Sequence, residues 1–243
     1  MFAEPPLRVD PDALVGWADC PSPSHHYDQA WVSSFVAAAG RGVAVGAHPS
    51  YRDAENFGRV EHDLDREEVA RIVAFQLIEL DMAARRHGSR VRYVKPHGAL
   101  YNRIVHDREQ AAGVVDAVLA YAAVADEDPL PILGLPGAAV LTEAEKAGVR
   151  AVTEAFADRA YTPAGTLVPR GTDGAVLSDS AEIARRVVEL VTTGRIGAID
   201  GTLIDVDAGS VCLHGDTPGA VGHAQAVRDA LTAAGIVIGA PPA

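Results

Sequence analysis

The sequence predicts an α/β fold: a parallel sheet covered by helices, either closed as a barrel or left open. Three observations predict it. From residue 42 onward, short β-prone runs alternate with amphipathic helical stretches, the alternation that parallel strands with helical crossovers require. The 243 residues suit one domain spanning 1–243, with no internal repeat and no linker-like composition, and they bury a sizeable core without staples. Third, three of the β-prone runs end in a histidine beside a proline or glycine: Ala47-His48-Pro49, Lys95-Pro96-His97-Gly98 and His214-Gly215-Asp216. Parallel α/β folds bind ligands beyond the carboxyl ends of their strands, so such endings are where a site belongs.

Composition removes several classes. Hydrophobic residues make up 48% and charged residues 22%, ordinary values for a globular protein, and no apolar run approaches the ~20 residues that span a bilayer. The opening MFAEPPLRVDPDAL lacks the basic start and apolar core of a signal peptide, so a cytoplasmic location is expected. Cys20 and Cys212 are too few for a disulfide framework and have no metal-site spacing. A net charge of −12 argues against nucleic acid as a partner, since phosphate binding needs a basic surface.

Taken in order, residues 1–27 are poorly patterned, because five prolines interrupt every run, and His25-His26 reads as a solvated loop. Residues 28–39 place Trp31, Val32, Phe35 and Val36 on one helical face, with Gly40 as C-cap. A strand over 43–45 leads to His48, and the polar loop 50–63 comes next, long enough to suggest function. Asp65 and Glu68 have the spacing of a capping box for a helix carrying Val69, Ile72, Val73, Leu77 and Leu80, ended by Gly88. The strand 91–94 enters Lys95-Pro96-His97. Asp107, with Gln110 three residues on, caps a helix to about 124; the strand 132–135 and a short helix 138–147 succeed it. The strand 149–153 ends in Glu154 and opens a second long loop, 157–170. A helix over 180–193, strand signals at 196–199, 203–206 and 211–213, a helix over 218–234 and a last strand 236–238 complete the chain.

The residues just past the strand ends are His48, Lys95, His97, Glu154, His214 and Asp216, which a parallel sheet would gather on one face together with the two long loops. Histidines and carboxylates suit a catalytic metal, and they suit general acid and base work equally. The spacing does not choose between these. No HExxH, GxSxG, GxxxxGK[ST] or GxGxxG is present, which removes the commonest metalloprotease, hydrolase and nucleotide-binding readings. Lys95 directly after an apolar strand needs a partner, because burying a lone ammonium is costly. Asp216 could equally be a helix N-cap, Glu154 and Asp158 plain loop carboxylates. Arg159 and Arg170 could hold an anionic substrate bidentately or pair with surface acids.

Six ordered stretches carry a resemblance: Gly42-Val-Ala-Val-Gly-Ala-His-Pro-Ser50, Asn56-Phe-Gly-Arg59, Val94-Lys-Pro-His-Gly-Ala-Leu-Tyr-Asn102, Glu154-Ala-Phe-Ala-Asp-Arg159, Leu167-Val-Pro-Arg170 and Val211-Cys-Leu-His-Gly-Asp216. From about Gly42 to the C-terminus the chain resembles the LamB/YcsF family of 5-oxoprolinase A-type subunits. The resemblance implies an irregular seven-stranded (β/α) barrel of the glycoside hydrolase/deacetylase type. It also implies a role with two further subunits, of B and C type, in ATP-dependent opening of 5-oxo-L-proline to L-glutamate, with ATP as co-substrate and metal dependence unspecified. Carried over residue by residue, it implies catalytic work for His48, Lys95, His97, His214 and Asp216. In that set Lys95 and His97 polarise the amide or steady phosphate charge, and His48 and Asp216 transfer protons. Arg59, Tyr101, Glu154, Asp158, Arg159 and Arg170 are the implied substrate contacts, with Arg159 or Arg170 taking the substrate carboxylate. The first 40 residues depart from the family: neither its Asp-Leu-Asn-x-Asp-x-Gly-Glu nor its Ala-Cys-Gly-Phe-His-Ala-Gly-Asp motif is present, so degraded first strands are expected. The alternatives are a metal-dependent deacetylase-like hydrolase and a catalytically weakened binding or scaffolding subunit.

Overall fold

The computed structural model describes residues 17–21, for their backbone, together with 43–215 and 217–239. His25, His26, the helix expected over 28–39, its cap Gly40, and Asp216 lie outside the described residues. Contacts group the chain into two compact units, one formed by 1–152 with 242–243 and one by 153–241. Strands joined by helices pair in parallel within each unit, so the α/β class predicted from sequence is the class adopted.

The first unit runs β1 (Trp17–Pro21), β2 (Ala44–His48), α1 (Arg66–Arg86), β3 (Val91–Val94), α2 (Gly98–Arg103), α3 (Arg108–Ala125), β4 (Ile132–Gly134) and α4 (Ala139–Lys146). Its strands lie side by side in chain order, all parallel. Helix α1 begins at the residue its capping signal predicts. The Asp65 carboxylate accepts from the Glu68 backbone N–H at 2.8 Å, and Glu68 reaches back to the Asp65 N–H at 3.3 Å, the reciprocal capping box. The apolar face Val69, Ile72, Val73, Leu77 and Leu80 is buried, and α1 packs along α3. Asp107 caps α3 by accepting from the Gln110 N–H at 3.1 Å. Asp81, a buried carboxylate on α1, accepts from the Val91 N–H at 3.0 Å and so ties the helix to the start of β3.

The second unit holds the body of β5 (Ala151–Phe156), then α5 (Ser180–Thr193), β6 (Arg195–Gly197), β7 (Leu203–Asp205), β8 (Ser210–Cys212) and α6 (Ala220–Ala233). Strands β5 and β8 pair in parallel, and α5 packs on α6 around Ala157, Ile183, Val187, Val227 and Leu231. Helix α5 occupies the residues expected of it: Asp179 caps it by accepting from the Glu182 N–H at 2.8 Å.

Five sequence expectations are corrected. A strand forms at 17–21 within the stretch that looks unpatterned, because its backbone pairs with β2 over five residues, from Trp17 with Ala44 to Pro21 with His48. That pairing also carries β2 on through His48, beyond the expected 43–45. Strand β5 lies at 151–156 rather than 149–153, held by pairing of Glu154–Phe156 with Ser210–Cys212, so Glu154 sits inside a strand and not after it. Strands β6 and β7 form an antiparallel hairpin, since the five residues between them cannot make the crossover that parallel pairing needs. Residues 236–238 form no strand; Ile236 and Ile238 instead pack on the α5–α6 cluster.

Candidate functional site

In the first unit the ends of β2 and β3 are adjacent, with Ala47 opposite Val94. Beyond the ladder the strands stay bonded, Lys95 N–H to the Ala47 carbonyl and His97 N–H to the Pro49 carbonyl, both at 2.8 Å. This pairing brings His48 and His97, 49 residues apart, into contact. His97 Nδ1 lies 2.8 Å from His48 Nε2, His48 Nδ1 lies 2.8 Å from the Lys95 carbonyl oxygen, and His97 Nε2 lies 3.0 Å from the Phe57 carbonyl oxygen. The Phe57 ring stands edge-on to His97 at 5.3 Å, and the Arg59 guanidinium lies 4.9 Å from the centre of the Phe57 ring. The loop 56–59 is therefore docked on the 97–99 segment, where the Ala99 N–H also donates to the Gly58 carbonyl at 2.9 Å.

Two residues that sequence reasoning passed over hold the chain after His48. Ser50 is fully buried, its N–H donating to Gln76 Oε1 at 3.1 Å and its carbonyl accepting from Gln76 Nε2 at 2.8 Å. The signal was available: Gln76 is a polar residue on the apolar stripe of α1 between Val73 and Leu77, and a buried amide needs partners of this kind. Tyr51 is likewise buried and donates to Gln110 Oε1; burial pushes its phenol up to about 12. Of the other predicted residues here, Lys95 is buried at the end of β3, Tyr101 is buried in α2 and Arg59 is exposed.

In the second unit Asp158 is fully buried and accepts from His214 twice, from the backbone N–H at 3.3 Å and from Nδ1 at 2.9 Å. Burial is the largest influence on this carboxyl and pushes its pKa up, but the His214 hydrogen bond and charge outweigh it and hold the group below the usual carboxylate range. The imidazole stacks on Phe156 with ring centres 5.4 Å apart and is 20% exposed. With Nδ1 on Asp158, the ring presents Nε2. Arg159, buried, gives its guanidinium N–H groups to the Ala175 and Val168 carbonyls at 3.3 and 2.6 Å, closing the loop 157–170 onto the segment that carries Ala175. Burial, with Arg170 nearby, lowers its pKa. Arg186 on α5 donates to the Arg159 carbonyl at 3.3 Å. Glu154 is buried in β5 and Arg170 is exposed.

The two clusters can do distinct chemistry. A carboxylate holding one imidazole nitrogen sets the tautomer and raises the basicity of the other, the arrangement of a general base. Paired imidazoles whose outer nitrogens face carbonyls hold and pass protons. Among the described residues no group of three or more His, Cys, Asp or Glu side chains stands together as a metal-ligand set.

The comparisons with known proteins agree with one another. The family model described as the LamB/YcsF family matches residues 14–243, so the match starts well before Gly42. The chain is 56% identical over 200 residues to a Cutibacterium acnes protein named as the A subunit of 5-oxoprolinase, covering 82% of this chain and 78% of that one. It is 48% identical over 228 residues to a protein of the same name, numbered 1, from Agrobacterium fabrum, covering 93% and 87%. Among solved structures, the lactam utilization protein from Thermus thermophilus superposes with a TM-score of 0.87 at 38% identity, covering 99% of this chain and 94% of that one.

Proposed function

Starting from the fact that this chain belongs to the LamB/YcsF family, we propose that it is the A-type subunit of a 5-oxoprolinase, opening the lactam of 5-oxo-L-proline to L-glutamate. In this reading it works with two further subunits, and the reaction is coupled to hydrolysis of ATP to ADP and phosphate. An unstrained lactam carbonyl is a poor electrophile; phosphorylating its oxygen makes it one before water attacks. The sequence has no GxxxxGK[ST] phosphate loop, and the reading assigns nucleotide binding to the complex rather than to this chain. It requires a compartment with ATP, the cytoplasm; no described helix is long and apolar enough to cross a membrane.

The observation that carries the reading is the Asp158–His214 dyad. His214 Nε2 takes the proton of the attacking water, while Asp158 holds the Nδ1–H and stabilises the imidazolium that forms. Arg170, exposed and in the same unit as the dyad, is the choice for the substrate carboxylate, whereas Arg159 serves the loop it closes.

The test is glutamate release from 5-oxoproline and ATP by the chain co-expressed with its partner subunits. His214→Gln should lower kcat by about 10²-fold or more, with the complex still assembled. Unchanged turnover in the assembled His214→Gln complex would reject the dyad as the base.

A further inference from the structure

An imidazole bonded to a carboxylate through one nitrogen can still tilt about that bond, so holding it as a base takes a second contact on its face. His214 has both. Asp158 accepts from its Nδ1 at 2.9 Å, and the Phe156 ring stacks on it with the two planes 22° apart. Phe156 ends β5 and Asp158 stands in the turn that follows, so whatever fixes that turn fixes both contacts. The clasp is a hydroxyl. Successive N–H groups along a strand point to opposite sides; Ala157 donates to the Cys212 carbonyl on β8 at 2.8 Å, so the Phe156 N–H points away from β8, and Tyr161 Oη accepts it at 2.7 Å. We infer, on the reading that the Asp158–His214 dyad is the base, that Tyr161 is its positioning residue: the phenol oxygen closes the turn 156–161, and the turn sets the edge and the face of the His214 ring together.

Tyr161 is built to hold rather than to react. It is fully buried, and burial pushes the pKa of its phenol up, so the group that accepts is the neutral hydroxyl. Its backbone is anchored from two sides. The Tyr161 carbonyl accepts from the Ile199 N–H at 2.8 Å, and bridges link Tyr161 to Leu167 in the loop 157–170 and to Ala198 between β6 and β7. A phenylalanine would pack the same ring; only the hydroxyl reaches the Phe156 N–H. Without it a buried donor at the end of β5 loses this acceptor, the turn is free to shift, and His214 slips against its stack. The long loop 157–170 thereby has a task at the dyad, since it carries the side chain that returns to Phe156.

Tyr161→Phe removes the hydroxyl and leaves the ring. In histidine-labelled ¹H and ¹⁵N spectra of the intact chain, the stack should shift the carbon-bound ring protons of His214 upfield, by an amount that Phe156→Leu defines. Tyr161→Phe should lose most of that shift, and the ¹⁵N shifts of Nδ1 and Nε2 should converge as the two tautomers mix. A His214 spectrum unchanged in Tyr161→Phe overturns the inference. In the assembled complex, Tyr161→Phe should lower kcat ~10-fold or more, toward the ~10²-fold cost of a ~1 Å misplacement, with KM within about twofold. In a His214→Gln background it should cost nothing further; an equal loss in both backgrounds means general damage to the fold and overturns the positioning role. The wild-type chain supplies a measurement that needs no variant: the Phe156 amide hydrogen should exchange as slowly as that of Ala157, and fast exchange at Phe156 beside a protected Ala157 overturns the clasp. Spectra and exchange use no substrate, so they decide the positioning even if His214→Gln leaves turnover unchanged, a result that would count against the dyad as base alone.

Discussion

Gly98→Ala tests whether the loop 56–59 is docked on the 97–99 segment as described. Gly98 has φ of 62°, and a Cβ added there would sit 2.4 Å from the Gly58 carbonyl oxygen and 3.1 Å from its carbon. The closest ordinary C···O approach is ~3.3 Å, so the carbonyl must retreat by nearly an ångström. Left-handed backbone costs an alanine about 1 kcal/mol. The retreat breaks the 2.9 Å bond from Ala99 N–H to that carbonyl, worth about 1 kcal/mol, and misplacing packed backbone adds about another 1 kcal/mol. The sum is about 3 kcal/mol, or about 6–12 °C in Tm for a chain of this size. Gly88→Ala supplies the control: it has φ of 73° and nothing within 4 Å of the added Cβ, so it carries the backbone cost alone, about 2–4 °C. Both are measured by calorimetry on the purified chain. Equal shifts for the two variants would refute the docking and, with it, the contact between the Phe57 carbonyl and His97.

Three further outcomes rest on the same geometry. Asp65→Ala removes the carboxylate that accepts from the Glu68 N–H, leaving the backbone N–H of residue 65 to Glu68, and should cost about 1 kcal/mol, seen as a lower denaturant midpoint at unchanged slope; an unchanged midpoint contradicts the cap. The pKa of Asp158 is lower folded than unfolded, so its stabilising contribution is present above the unfolded carboxylate range and disappears as pH falls through the lowered folded value. Tm recorded against pH should therefore drop in acid for the wild type and drop less for Asp158→Asn; parallel curves would argue against the His214 bond. Arg159→Lys replaces a fork that reaches the Val168 and Ala175 carbonyls with a single ammonium, and should destabilise by about 1–3 kcal/mol. Hydrogen exchange across 160–175 should accelerate first, and unchanged exchange there would mean the loop is closed by other means.

What could be read from sequence was local, and what could not was register. The caps at Asp65, Asp107 and Asp179 act over three residues, so a side chain and the N–H it bonds are visible together in the chain. The end of α5 at Gly194, left-handed with φ of 70°, was legible for the same reason. His48 and His97, or Asp158 and His214, each stand out singly near a strand end, yet nothing in the sequence pairs them. Partnership between residues 49 and 56 positions apart depends on how strands align. The shift of β5 onto Glu154 shows the cost: an apolar run admits several frames, and the choice is made by Ser210–Cys212 on β8.

The alignment of β2 with β3 shows how finely the first cluster depends on this. Val45 lies opposite Val91, but Gly46 lies opposite Tyr93, one residue further than a regular ladder allows. A bulge therefore absorbs Arg92. Without it Ala47 would face Tyr93, His48 would end beside Val94, and the Lys95 carbonyl that now accepts from His48 Nδ1 would fall one residue out of reach. Since one step along a strand also turns every side chain to the other face, the histidine pair exists because β3 carries one extra residue relative to β2. No period in either strand's sequence announces that residue. A deletion of Arg92 should leave α1 and α3 packed while separating His48 from His97, and the ¹⁵N chemical shifts of the two rings are the signal that would move.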